Sequence, residues 1–104
     1  AHCVKVLFSS AVTREFSVAV EWWRENRPAA PTLLEDEMRG VVHRLAESPN
    51  IGAPVLHPLV KGLRRLSLEG SRYHLYYRVL PRRDVVWLVR LWHMSRAAPP
   101  LPRR

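Results

Sequence analysis

The chain has 104 residues, of which 47% are hydrophobic and 25% charged, the composition of one small globular domain. It has no apolar run long enough to cross a bilayer, no basic-then-apolar leader at its N-terminus, and a single cysteine, Cys3, that cannot close an internal disulfide. These features exclude a helical membrane protein and a disulfide-stapled module, and they predict a cytoplasmic protein with no membrane partner.

The net charge of +8 is unevenly spread. Residues 1–57 carry six basic and seven acidic side chains, whereas residues 58–104 carry eleven basic and two acidic. A cationic half of this kind attracts an anionic partner, either nucleic acid or an acidic protein segment. Fifteen of the 17 basic residues are arginine, the side chain suited to bidentate carboxylate or phosphate contacts. A genome rich in GC would also favour arginine, but it accounts less well for the asymmetry.

Residues 4–8 (VKVLF) alternate weakly and predict a short first strand, with Ser9 or Ser10 capping the helix that follows. That helix is predicted over 11–26, where Val12, Phe16, Ala19, Val20 and Trp23 form one apolar stripe with Trp22 beside it. Trp22 either widens the buried face or stays exposed as a contact. Pro28 breaks the helix, and Pro31 suits the first turn of a second one. The second helix repeats the spacing at Leu34, Met38, Val41, Val42 and Leu45, and Gly40 within it allows close packing against the first. Residues 51–62 form an irregular connection whose Pro54 and Pro58 prevent a central strand.

Three strands are expected over 61–96. In the first, Arg64, Leu66 and Leu68 share one face, and Arg65, Ser67 and Glu69 the other. Gly70-Ser71 reads as a two-residue hairpin loop. In the second, Tyr73, Leu75, Tyr77 and Val79 turn to the core, leaving Arg72, His74, Tyr76 and Arg78 for solvent or a ligand. The third, 84–93, is apolar on both faces, as a central strand requires, with Arg90 as an anomaly. If buried, Arg90 needs a carboxylate partner, such as Glu69 or an acidic residue of another protein. The expected architecture is α+β, β-α-α-β-β-β, a two-helix hairpin packed on one face of a small antiparallel sheet. One domain spans 1–96, and residues 97–104 form a Pro/Arg-rich tail.

The helix end LAESPNIGAP, the strands LRRLSLEGSRYHLYYRV and the closing VVWLVRLWHMSR together resemble the ParE/RelE superfamily of bacterial type II toxins. The residues that carry the likeness are Leu45, Pro49 and Gly52; Arg64, Arg65 and Leu66; Tyr73, Tyr77, Arg78 and Val79; and His93 with Arg96. The resemblance implies a cytoplasmic bacterial toxin held inactive in a hetero-oligomer with its cognate antitoxin. Growth arrest and plasmid stabilisation are the roles implied. ParE-like members inhibit DNA gyrase by protein–protein contact, and RelE-like members cut mRNA on the ribosome. No tyrosine follows Arg96 here; PPLPRR stands in its place. That departure favours the ParE-like branch, with the endoribonuclease as the alternative.

Under the gyrase reading no residue is catalytic. The candidates for antitoxin or target binding are Arg64, Arg65, Arg72, Arg78, Arg90 and Trp92. Under the ribonuclease reading, His74, Tyr76, His93 and Arg96 would supply the base, the acid and the cations at the scissile phosphate. An ordinary polar strand face carries the same residue types. His43 and His57 are expected to be structural. No Cys/His metal spacing and no phosphate-cradling glycine loop occurs, so neither a metal nor a cofactor is expected.

Overall fold

The computed structural model describes residues 3–97, and all but Ala97 of the expected tail lies outside them. The elements are β1 (Lys5–Phe8), α1 (Ser10–Asn26), α2 (Leu33–Glu47), β2 (Ala53–Pro54), β3 (Leu63–Leu68), β4 (Tyr73–Leu80) and β5 (Val85–His93). Both helices pack on one face of a five-stranded sheet ordered β1-β5-β4-β3-β2. The fold is α+β, as the pattern predicts. The sheet is mixed rather than wholly antiparallel, because β1 pairs in parallel with β5. Alternation within a strand says which way its side chains point but nothing about which strand lies beside it.

The helices form where the apolar stripes place them. Ser9 caps α1 by accepting the Val12 N–H at 3.0 Å. From α1, Val12, Ala19 and Trp23 are buried, and from α2, Leu34, Met38, Val41 and Leu45. They meet Leu68, Leu75, Tyr77, Val86, Leu88 and Leu91 of the sheet. α2 begins at Leu33, two residues after Pro31, with Thr32 as its N-cap. Gly40 does not mediate helix packing: it is exposed, and a Cβ there would meet nothing within 4 Å.

The motif Pro49…Gly52 is explained by a tyrosine far along the chain. The fully buried Tyr77 hydroxyl accepts the Gly52 N–H at 2.8 Å and donates to the Pro49 carbonyl at 2.9 Å. A Cβ at Gly52 would lie 2.6 Å from that oxygen, so only glycine fits. Arg64 closes the same knot from β3, donating to the Gly52 and Asn50 carbonyls at 2.6 and 3.1 Å. Burial pushes the Tyr77 pKa up, against the opposing influence of the Gly52 N–H and Arg64. Arg64 thus works as a brace for the 50–52 loop.

The hairpin between β3 and β4 differs from the expected two-residue loop. Leu68 pairs with Tyr73, so four residues turn the chain. The left-handed position is Arg72 (φ 66°), not Gly70. The Glu37 carboxylate of α2 accepts the Gly70 and Ser71 N–H groups at 2.7 and 2.8 Å, which staples the turn to the helix layer. The left-handed backbone takes Arg72 out of the β4 alternation, and it does not share a face with His74.

β5 contains a second departure. Tyr77 pairs with Leu88 but Tyr76 with Arg90, so Val89 is an extra residue and the strand bulges there. The bulge resets the alternation: Val86, Leu88 and Leu91 face the helices, while Trp87, Val89 and Trp92 face away. Beyond the end of β1 the edge of β5 would be bare. α1 covers it, the Ser9 hydroxyl donating to the Val89 carbonyl at 3.1 Å and Glu15 accepting the Leu91 N–H at 2.9 Å.

Candidate functional site

Two surfaces contain the residues of interest, one on each side of the sheet. The outer face is less open than a single helix layer suggests. The 55–62 connection folds back over it, and Val60, Leu63, Tyr76 and Val89 form a small buried cluster flanked by Val55, Trp87 and Trp92. Tyr76, expected to face solvent or a ligand, is therefore buried. His74 lies half-buried beside it, edge-on at 6.3 Å between ring centres, with Ser67 Oγ 3.3 Å from its Nδ1. Burial and the Arg65 guanidinium lower the His74 pKa, with Glu69 opposing, so the imidazole is neutral at neutral pH. Arg78 donates to the Lys61 carbonyl at 3.1 Å, tying β4 to the covering connection. Arg65 remains exposed.

Arg90 resolves its anomaly internally. Its guanidinium meets Glu15 of α1 at 2.5 and 2.7 Å, so the partner is Glu15 and not Glu69 or an outside acid. Trp92 lies under Arg90 and Arg96, whose guanidinium carbons sit 4.8 and 3.7 Å from its ring centre. Its indole N–H donates to the Ala97 carbonyl at 2.5 Å.

On the helix side, a cleft of about 920 Å³ opens between the second half of α1, the β3–β4 turn and the end of β5. Ala19, Trp23 and Leu91 are the buried members of its lining; Val18 and Trp22 are left 64% and 45% exposed. Tyr73 and His93 stand edge-to-face at its end, 5.0 Å apart. His93 Nδ1 accepts the Ser95 N–H at 3.2 Å, which leaves the proton of the neutral ring on Nε2. Burial raises the Tyr73 pKa, partly offset by Arg96. Arg14, Arg27, Arg72 and Arg96 ring the opening.

The expected ribonuclease residues are not gathered. His74 and Tyr76 belong to the outer face, while His93 faces Tyr73 in the cleft; only Arg96 touches both surroundings. Of the expected binding residues, Arg64, Arg78 and Arg90 are engaged within the fold, and Arg65, Arg72 and Trp92 present at least part of their surface. Arg14, Trp22 and Arg27 of the cleft were absent from the expected binding set. Trp22 carries the one local signal for it, an aromatic just off the α1 stripe.

The sequence model of the ParE toxin of the type II toxin–antitoxin system parDE matches residues 6–98. The chain belongs to the ParE toxin family. Within the wider ParE/RelE superfamily it is a toxin of a type II toxin–antitoxin system. No curated protein matches it significantly by sequence. Among solved structures, this ParE-family chain is similar to the chromosomal ParDE toxin–antitoxin system of P. aeruginosa, with a TM-score of 0.70 and 17% identity over 91% of this chain and 100% of that one. It is also similar to the RelBE2 complex of Mycobacterium tuberculosis, with a TM-score of 0.65 and 19% identity over 91% and 95% of the two chains. The intact E. coli RelBE complex gives 0.61 and 20% identity over 89% and 99%. At these identities the likeness is one of fold. Among the described residues no helix is long and apolar enough to cross a membrane.

Proposed function

We propose that this toxin arrests growth by binding and disabling DNA gyrase, and that a cognate antitoxin holds it inactive until then. The match of residues 6–98 to the ParE family carries the reading. The separation of His74 from His93 on opposite sides of the sheet supports it, because metal-free RNA cleavage needs its base, acid and cations around one phosphate. Inhibition by contact needs only a complementary surface. The test is a supercoiling assay with purified gyrase and excess folded toxin. Supercoiling should stop or cleaved DNA accumulate, with added RNA intact; normal supercoiling would refute the reading.

One observation favours a second reading, ribosome-dependent cleavage of mRNA. His74, held neutral beside Arg65 and Ser67 on the outer face, has the protonation state of a general base next to a cation. That reading requires codon-linked cuts on translating ribosomes that disappear in His74→Ala. Growth arrest with intact mRNA would exclude it.

A further inference from the structure

The cleft beside α1 has chemistry that neither surface contact with gyrase nor RNA cleavage uses. Its arginines are unusual within this chain. Elsewhere Arg24 pairs with Glu35, Arg39 with Asp36 and Arg90 with Glu15. Arg14, Arg27, Arg72 and Arg96 form no ion pair with any described residue. Two of them are held in place without one. The Arg27 guanidinium lies 5.1 Å from the Trp22 ring centre, and Arg72 is fixed by its left-handed turn. The Glu15 carboxylate also lines the cleft, but Arg90 and the Leu91 N–H occupy it.

Four cations thus surround an apolar interior in which Ala19 and Leu91 are buried and Val18 and Trp22 are not. A shallower groove lined by Phe8, Thr13, Arg14 and Val18 continues it toward the start of α1, sharing Arg14 and Val18. The two together follow α1, whose 17 residues span about 25 Å. A nucleic-acid strand is a poor match, since phosphates want cations along the track and not around an apolar interior that also carries a carboxylate. An apolar centre with a charged rim is the anatomy of a protein–protein anchor site.

We propose that this cleft seats an acidic, amphipathic segment of the antitoxin. One large apolar side chain enters between Trp22 and Tyr73 over Ala19 and Leu91. Carboxylates beside it meet Arg27 on the helix lip and Arg72 on the hairpin lip. The two arginines lie on different elements, so their spacing reads the spacing of the partner's acids and makes them specificity-determining. The inference rests on the reading of this chain as an antitoxin-bound toxin.

The test uses the full chain and the whole antitoxin encoded beside it, with a single-stranded RNA 12-mer as the competing probe. Trp22→Ala removes an exposed wall, and Arg72→Asp reverses a charge with a residue that tolerates a left-handed backbone. Both variants should keep the wild-type circular dichroism spectrum. Each should weaken antitoxin binding by about thirtyfold or more, the size of an interface hot spot. Lysine replacing the facing antitoxin carboxylate should restore binding to Arg72→Asp. Unchanged antitoxin affinity in both folded variants would overturn the cleft assignment and leave the toxin reading intact. No binding of the wild-type chain would overturn both. RNA binding that is lost in the same variants, with antitoxin binding unaffected, would make the cleft a nucleic-acid site and also overturn the proposal.

Discussion

The two faces of the sheet are built by different means. The helix face is covered by two long elements whose stripes merge into one continuous core running from Val12 to Leu91. The outer face is covered by an irregular connection that anchors itself chiefly through Val60, Leu63, Tyr76 and Val89. Helices bring their own hydrogen bonds to the layer they cover. The connection borrows them, through Val55 N–H to the Leu63 carbonyl and Arg78 to the Lys61 carbonyl. Stability should therefore be unequal across the sheet, with the outer cover opening before the core does.

Truncating Leu75, fully buried under the helices, tests the stronger side. Leu75→Ala should cost about 3 kcal/mol and lower the melting temperature by about 15 °C, as followed by thermal denaturation. Val60→Ala on the weaker side should cost about 1 kcal/mol. It should also speed hydrogen exchange of residues 55–63 without changing that of β4. Equal costs, or a rise in exchange through both faces, would mean that the sheet unfolds as one unit and would remove the contrast.

The smallest effect comes from His74. Its folded pKa lies below the ordinary value of 6.5, so the unfolded chain takes up the proton first. The resulting stability is present above pH 6.5 and is lost as pH falls through the folded pKa. Urea titrations at pH 8 and pH 5 should show this loss in the wild type and a shallower one in His74→Gln. An identical pH slope in the variant would assign the acid sensitivity to other groups.

What the sequence makes legible follows the same division. The stripe from Val12 to Trp23 and the alternation of Tyr73, Leu75, Tyr77 and Val79 identify the helix face directly, because each lies within one regular element. Tyr76 is misread, since its cover arrives from residues 55–62, and no local pattern announces that a proline-rich connection will fold back. Arg90 loses its puzzle only when α1 brings Glu15 to the edge of β5, 75 positions away in sequence. The cleft is legible only in fragments for the same reason, being assembled from α1, one turn and one strand end. The motif residues Pro49, Gly52, Arg64 and Tyr77 belong to a structural knot and not to a reactive site, so the most recognisable part of the chain identifies its fold more than its action.

The placement of β5 has a further consequence, in time rather than in space. It is the last strand to be synthesised, yet it lies between β1 and β4 and joins the two parts of the sheet. Until residues 85–93 have emerged from the ribosome, β1 has no strand to pair with and the helices have only part of their floor. A growing chain cannot acquire the finished surface by degrees. The folded toxin, and the cleft whose wall includes Leu91 and His93, come into being together at the end of translation.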